Sequence, residues 1–338
     1  MKEVYAHIYQ DIYSFREEQM AVARAQVSKN MAEMGISVDA LKEMNVFNIG
    51  PGREAMAFHE LGARNVHHVD VSEKPVNNFN ALRDADPAFR NIHSTQQDIC
   101  AATPLDAPEG IDFVYLSGVV HHLYDPARAL HNIFAALNAN ATVFLRIYRS
   151  GSLGFFCADF VRQFVSYDDV NIVLEVFRER FPEDSEEHKI LYDDMYDNFF
   201  VPIQNLYDPA EVNRFFVHHG FEIPVTQTFV AYDHADSRFS GLGNSLYYRL
   251  PGEYQAKAPI PFPRHEDQIT DIPYREPFIR TTVEMMGKFL KIKDRIAAHE
   301  RAAVAIEVYK LGQIKRVKGP VSALERHQAI QEILARHV

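Results

Sequence analysis

The stretch Val46-Phe47-Asn48-Ile49-Gly50-Pro51-Gly52-Arg53-Glu54 is followed, twenty residues beyond Gly50, by Asp70 in Val69-Asp70-Val71-Ser72. It reads as a strand, a glycine turn, a helix and a second strand that ends in an acid. Glycine lacks the Cβ that would keep a ligand away from the backbone, and the first N–H groups of the following helix have no helical partners and point there. A carboxylate at the end of the second strand can accept from both hydroxyls of a ribose. The expected helix from Glu54 to Leu61, stopped by Gly62, leaves enough chain to return along a parallel strand. Gly50, Gly52 and Ala55 also satisfy the looser G-x-G-x-x-G/A dinucleotide pattern. Because strand, helix and acid agree, the turn predicts a bound nucleoside in preference to a merely structural bend.

Working outward, strands expected at Asn45–Ile49, Val66–Val71, Arg90–Gln96, Phe113–Ser117 and Thr142–Tyr148 alternate with helices, the pattern of a parallel α/β sheet. Asp125 can cap the helix after the fourth strand, with Pro126 in its first position and Ala127, Leu130, Ile133, Phe134 and Leu137 as its buried face. Asp208-Pro209 opens a similar helix to His219, closed by Gly220. Strands at Phe221–Val230 and Ser245–Leu250 follow, close enough in sequence to pair antiparallel.

Three additions surround this core. Residues 4 to 36 read as helical, with Tyr5, Ile8, Tyr9, Ile12 and Tyr13 on one face that either caps a pocket or packs on the sheet. An insertion at 151–200, rich in Phe, Tyr and acid, is too apolar for a linker and predicts helices over the sheet's edge. Prolines 251, 259, 261, 263, 273 and 277 mark an extended connector, followed by helices at Thr282–Tyr309 and Val321–His337 that could serve homo-oligomerisation. The expected organisation is a helical N-terminal cap at 1–45, a core domain at 46–250 and a C-terminal extension at 251–338.

The chain has 338 residues, with 35 basic against 46 acidic side chains and a net charge of −11. That balance argues against a nucleic-acid partner and against anionic membrane surfaces, which leaves small molecules as the default substrates. Cys100 and Cys157 form no CxxC pair, so thiols build neither a disulfide framework nor a zinc site. The adjacent histidines His67-His68, His121-His122 and His218-His219 show no metal-ligand spacing, so no metal is expected. No apolar signal segment or membrane span stands out, and the expectation is a cytoplasmic protein.

From Val46 to about Leu250 the order of features resembles the class I S-adenosylmethionine-dependent methyltransferases. The resemblance implies a Rossmann-like, mostly parallel seven-stranded sheet with an antiparallel last strand, and S-adenosyl-L-methionine as cofactor. Asn48-Ile49-Gly50-Pro51-Gly52 lies where that family has its acidic-x-G-x-G loop, and Asp70, followed by Val71, matches the ribose-binding acid. Gln97-Asp98-Ile99 is similar to the third-strand end that holds the adenine amino group. Ile111 to Ser117, continuing through Gly118, His121, His122 and Asp125-Pro126, looks like the fourth strand and its loop. Two positions depart from the pattern: Asn48 replaces the acid, and Glu54 replaces the third glycine.

Methyl transfer from a sulfonium needs alignment and exclusion of water, and a base only where the acceptor keeps its proton. His122, just past the fourth strand at the edge where open α/β sheets place ligands, is the candidate base. The alternative is that His121 or His122 hydrogen-bonds the backbone and orders the loop. Arg146-Ile147-Tyr148-Arg149 ends the fifth strand at that same edge, where an arginine such as Arg149 can grip an anionic substrate and Tyr148 can face a sulfonium. A structural arginine paired with acids of the insertion is the alternative. Three rival functions stay open: an NAD-dependent oxidoreductase, a non-catalytic methyltransferase-like module, and an enzyme whose sulfonium donates a group other than methyl.

Overall fold

Strands β1 (Asn45–Ile49), β2 (Asn65–Asp70), β3 (Ile92–Gln96), β4 (Ile111–Ser117), β5 (Leu137–Ile147) and β6 (Asn244–Arg249) form one sheet in the order β3-β2-β1-β4-β5-β6. The first five run parallel, and β6 lies antiparallel to β5 with Ser245 opposite Arg146. The computed structural model describes residues 17–50, 52–101, 105–106, 110–148, 153–183, 185, 188, 191–192, 195, 198–223, 244–263, 277–313 and 322–338. They divide into two units: the described parts of Met1–Ile147, Tyr207–Phe229 and Asn244–Arg264, and those of Tyr148–Leu206 and His265–Val338.

Among the described residues of the sheet unit, the longer helices α1 (Glu17–Glu33), α2 (Arg53–Glu60), α3 (Glu73–Ala85), α4 (Pro126–Ala135) and α5 (Pro209–His218) cover the two faces. Alternation along the strands separates two cores. Val46, Phe113, Tyr115 and Phe144 pack with Met20, Val27 and Met31 of α1, Phe58 of α2 and Phe79 of α3. On the other side Phe47, Ile49, Val114 and Leu145 pack with Leu130 and Phe134 of α4 and Phe215 and Phe216 of α5. The α4 start follows the expected chemistry: Asp125 accepts the Arg128 N–H at 3.0 Å and Pro126 occupies the first turn. Asp125→Ala should cost about 0.5–2 kcal/mol, the usual worth of such a cap, read as a lower urea midpoint at unchanged slope.

Several boundaries differ from expectation. Among the described residues the sheet has six strands; of the expected strand at Phe221–Val230 only Glu222 bridges Arg249, and residues 224–230 lie outside the described residues. β5 starts at Leu137 because Leu137 pairs with Ile111 across a register irregularity, and it ends at Ile147, before Tyr148. Leu137 therefore belongs to the strand and not to the α4 face. Of the N-terminal helix, α1 is described, and the stripe from Tyr5 to Tyr13 lies outside the described residues.

The second unit holds helices Leu153–Arg162, Val170–Arg180, Pro277–Ile292, Ala298–Gly312 and Ala323–Ala335. Within the insertion, Leu153–Arg162 and Val170–Arg180 are helical. Ala298–Gly312 buries Ala302, Val304, Ala305, Ile306, Val308 and Tyr309 along one broad face; Leu153–Arg162, Val170–Arg180 and Ala323–Ala335 pack against it, and Pro277–Ile292 packs on Ala323–Ala335. The single helix expected at Thr282–Tyr309 is two. The chain breaks after Ile292, and Arg301 Nη1 donates to the Ile296 carbonyl at 2.8 Å, satisfying backbone that no helix continues. Among the described residues no helix is long and apolar enough to cross a membrane.

Candidate active site

The sheet order reverses between β1 and β4, since the chain runs from β1 outward to β3 and then returns to β4 on the other side. Open α/β sheets bind ligands beyond the carboxyl ends of the strands at such a switch point. The glycine turn sits there. Gly50 and Gly52 both have left-handed backbone, with φ of 120° and 95°, which a side chain would strain. Gly52 is the N-cap of α2 and, as a glycine, has no side chain to accept from the N–H groups of that helix's first turn. Those donors, with the positive end of the helix, suit an anionic or carbonyl ligand.

The turn's shape is held by groups that the motif does not mention. A Cβ on Gly52 would lie 2.5 Å from Phe79 Cε2 and 3.4 Å from His68 Nε2, and one on Gly50 would lie 3.2 Å from Val119 Cγ2. The bare backbone therefore makes room first for the protein's own side chains. His68, opposite Asn48 in the β1–β2 register, is fully buried and pushed down to about 4 by that burial, so it is neutral. Its Nε2 lies 2.7 Å from the Gly50 carbonyl and its Nδ1 2.7 Å from Ser94 Oγ. The carbonyl only accepts, so Nε2 carries the proton and Nδ1 accepts from the serine. His68→Leu should lose about 1 kcal/mol, the typical net worth of one such bond, measured by chemical denaturation.

Asp70 ends β2 and is half-buried. Its Oδ1 accepts the Ser72 N–H at 2.6 Å, and burial pushes its carboxyl up to about 6 despite that bond. Val71 follows, its carbonyl accepting from Gln96 Nε2 at 3.0 Å. Past β3, Asp98 accepts the Cys100 N–H through Oδ1 at 3.0 Å and the Tyr124 hydroxyl through Oδ2 at 3.1 Å. Ile99 is buried, and its carbonyl accepts from Asn132 Nδ2 at 2.9 Å. Asp70 and Asp98 thus stand at the ends of neighbouring strands on the ligand-bearing edge.

On the α1 and α2 side of the sheet, Asn48, Tyr115 and Phe144 are aligned across β1, β4 and β5, and two residues further along β5 Arg146 stands opposite Ser117. Asn48 is 1% exposed; its Nδ2 donates to the Tyr115 carbonyl at 3.5 Å, while its Oδ1 has no hydrogen-bond partner among the described residues. Tyr115 stacks on Phe144 at 4.5 Å, and its hydroxyl accepts from Asn30 Nδ2 of α1 at 2.7 Å. Beyond β4, His121 and His122 form a short turn whose Val120 carbonyl accepts the Tyr207 hydroxyl at 3.0 Å. His121 is wholly buried, and burial, followed by the charges of His122 and Arg146, holds it well below the ordinary histidine range. A neutral, enclosed His121 leaves the half-buried His122 as the histidine of this turn that can meet an acceptor.

Of the residues singled out in the sequence, the structure brings Asn48, Gly50, Gly52, Asp70, Val71, Asp98, Ile99, Ser117 and His122 to the carboxyl ends of β1 to β4. Pro51 and Arg149 lie outside the described residues. Tyr148 falls in the second unit, where it packs on Phe155 with ring centroids 4.3 Å apart. The contributions of His68, Phe79, Asn30 and Tyr115 were not read from sequence. Only the β1–β2 register, which sets His68 against Asn48, could have pointed to the first. Among the described residues no group of three or more His, Cys, Asp or Glu side chains is placed to hold a metal ion.

Residues 47–145 match the family model described as a methyltransferase domain. No curated protein matches the chain. Among solved structures, the chain is similar to the magnesium protoporphyrin IX methyltransferase ChlM of Synechocystis PCC 6803 with bound SAH, at 16% identity over 73% of this chain and 93% of that one, with a TM-score of 0.43. It is also similar to a segment of StiE termed O-MT, at 14% identity, 44% and 52% coverage and a TM-score of 0.34. The CcbJ methyltransferase of Streptomyces caelestis gives 19% identity, 37% and 51% coverage and a TM-score of 0.31. The chain spans about half the length of the StiE and CcbJ chains.

Proposed function

We propose, from the match of residues 47–145 to a methyltransferase domain, that the protein is a class I S-adenosylmethionine-dependent enzyme that transfers a methyl group to a small-molecule acceptor. The observation that carries this reading is the coincidence of three features at one switch point: the left-handed glycine turn, the N-terminus of α2 that begins from it at Gly52, and Asp70 at the neighbouring strand end. An oxidoreductase of the dinucleotide type is disfavoured, because β5 is followed in the sheet by an antiparallel β6 in place of a second parallel half.

The residues present fit the cofactor. Asn48 Oδ1 is a buried acceptor without a donor, and the carboxylate of Asp70 is raised by burial in a way that ribose hydroxyls would relieve. When bound, S-adenosylmethionine supplies an electrophilic methyl group on a sulfonium. Asp70 would hold the ribose, Asp98 and Ile99 the adenine edge, and the first turn of α2 the methionyl end. Asp98 would have to release the Tyr124 hydroxyl, or share its oxygen with it, to take a further donor. His122 would accept the proton of a hydroxyl, thiol or amine acceptor, while His121, neutral and enclosed, fixes the turn that carries it. The chain's net charge of −11 supports a small molecule over a polyanion as acceptor.

Titration calorimetry of one preparation with S-adenosylmethionine, S-adenosylhomocysteine and NAD tests the reading. Binding of the two sulfur nucleosides without NAD is the expected result; binding of NAD alone, or of none of the three, would overturn it.

A further inference from the structure

Asp98 lies in the turn that follows β3, and both of its carboxylate oxygens are engaged. Oδ1 accepts the Cys100 N–H at 3.0 Å, a bond inside the turn itself. Oδ2 accepts the Tyr124 hydroxyl at 3.1 Å, from the loop between β4 and α4. The two segments leave the sheet on opposite sides of the switch point between β1 and β4. The second bond is therefore the one that spans the ligand-bearing edge.

Neither segment needs that bond for its shape. Asn132 of α4 holds the turn, donating through Nδ2 to the Ile99 carbonyl at 2.9 Å and the Ala101 carbonyl at 2.7 Å, and the Ala101 N–H donates to the Asp98 carbonyl at 2.9 Å. The loop is held by the Leu123 N–H on the Val120 carbonyl at 3.3 Å and by Asp125, which caps α4. Tyr124 itself is 48% exposed. Among the described residues its side chain makes no second hydrogen bond, and no ion pair or ring contact. A side chain so exposed and held by a single hydrogen bond exchanges that bond for water at small net cost. What the hydroxyl does is occupy one oxygen of a carboxylate.

In the proposed function Asp98 faces the adenine edge, whose exocyclic amino group is a donor, as a phenol hydroxyl is. We infer that the Tyr124 hydroxyl is an internal stand-in for that amino group: it fills Asp98 Oδ2 in the free protein and is displaced when the nucleoside binds. The inference rests on the proposed function. Displacement takes the worth of one hydrogen bond away from binding, so the cofactor and its demethylated product are both held less tightly than the site allows, and the returning hydroxyl assists release.

The test compares S-adenosylhomocysteine with its analogue carrying hydrogen in place of the 6-amino group, on wild type, Tyr124→Phe, Asp98→Ala and the double variant. Titration calorimetry should show Tyr124→Phe binding S-adenosylhomocysteine about threefold to tenfold tighter than wild type, the fold-change of one net hydrogen bond. The 6-hydrogen analogue has no donor with which to displace the hydroxyl, so both proteins should bind it equally. In the Asp98→Ala background the gain from Tyr124→Phe should vanish. A urea midpoint near that of wild type shows that Tyr124→Phe is folded. Unchanged or weaker S-adenosylhomocysteine binding by Tyr124→Phe would overturn the inference and leave the proposed function standing. So would an equal gain for both ligands, or a gain that persists without Asp98. If wild type binds neither ligand, the proposed function itself fails and the stand-in with it.

Discussion

Replacing Asp70 by alanine is expected to weaken S-adenosylhomocysteine binding by about 1.5–3 kcal/mol, the scale of hydrogen bonds to a charged group. Calorimetry on the folded variant reads this directly. The same carboxylate makes binding pH-dependent in a stated direction. Burial raises Asp70 to about 6, so in the free protein it is protonated below that value and ionised above it. Ribose hydroxyls donate to the ionised form, so affinity should hold level above about pH 6 and fall toward about tenfold per pH unit below it, with a proton released on binding near pH 6. Fold stability moves the opposite way: the contribution of the protonated carboxyl is complete below the ordinary carboxylate range and is lost as pH rises through about 6. Affinity that is flat from pH 5 to 8, or that persists in Asp70→Ala, would remove Asp70 from the site.

Gly52→Ala is the second large expected effect. The new Cβ would have to occupy a backbone with φ of 95° and lie 2.5 Å from Phe79 Cε2. Left-handed strain of about 1–2 kcal/mol and overpacking of about 1–3 kcal/mol act together, so a loss of several kcal/mol in chemical denaturation is expected. The two costs can be separated. Trimming the ring in the Gly52→Ala, Phe79→Leu double variant should return the packing part and leave the backbone part. If the double variant is no better than the sum of the singles, contact with Phe79 is not what Gly52 permits.

The core of the fold was legible where one local signal sufficed. β1 spans Asn45–Ile49 as read, and Asp125-Pro126 and Asp208-Pro209 start their helices as capping chemistry requires. Boundaries went astray where pairing overrode local preference. The start of β5 runs through Asn138 and Asn140, residues that suggest a turn; Asn138 is tied to Asp112 at 2.7 Å and Asn140 adopts φ of 64°, and Leu137 is drawn into the sheet by Ile111. The break after Ile292 was likewise invisible, because what accepts it is Arg301, nine residues on, turning back to the Ile296 carbonyl.

The candidate site divides in the same way. Gly50, Gly52 and Asp70 could be named from sequence because their spacing encodes a strand, a tight turn and a strand end, which is a local property of the chain, while Asn48 and Asp98 were named through the family resemblance. The sequence by itself therefore determined the sheet's character and the edge at which the candidate site lies. Only the tertiary structure decided how that edge is furnished: that His68 holds the Gly50 carbonyl, and that Phe79 fills the space beside Gly52. These depend on strand order and register across residues far apart in the chain, and no pattern of neighbours records which side chains a crossover brings together.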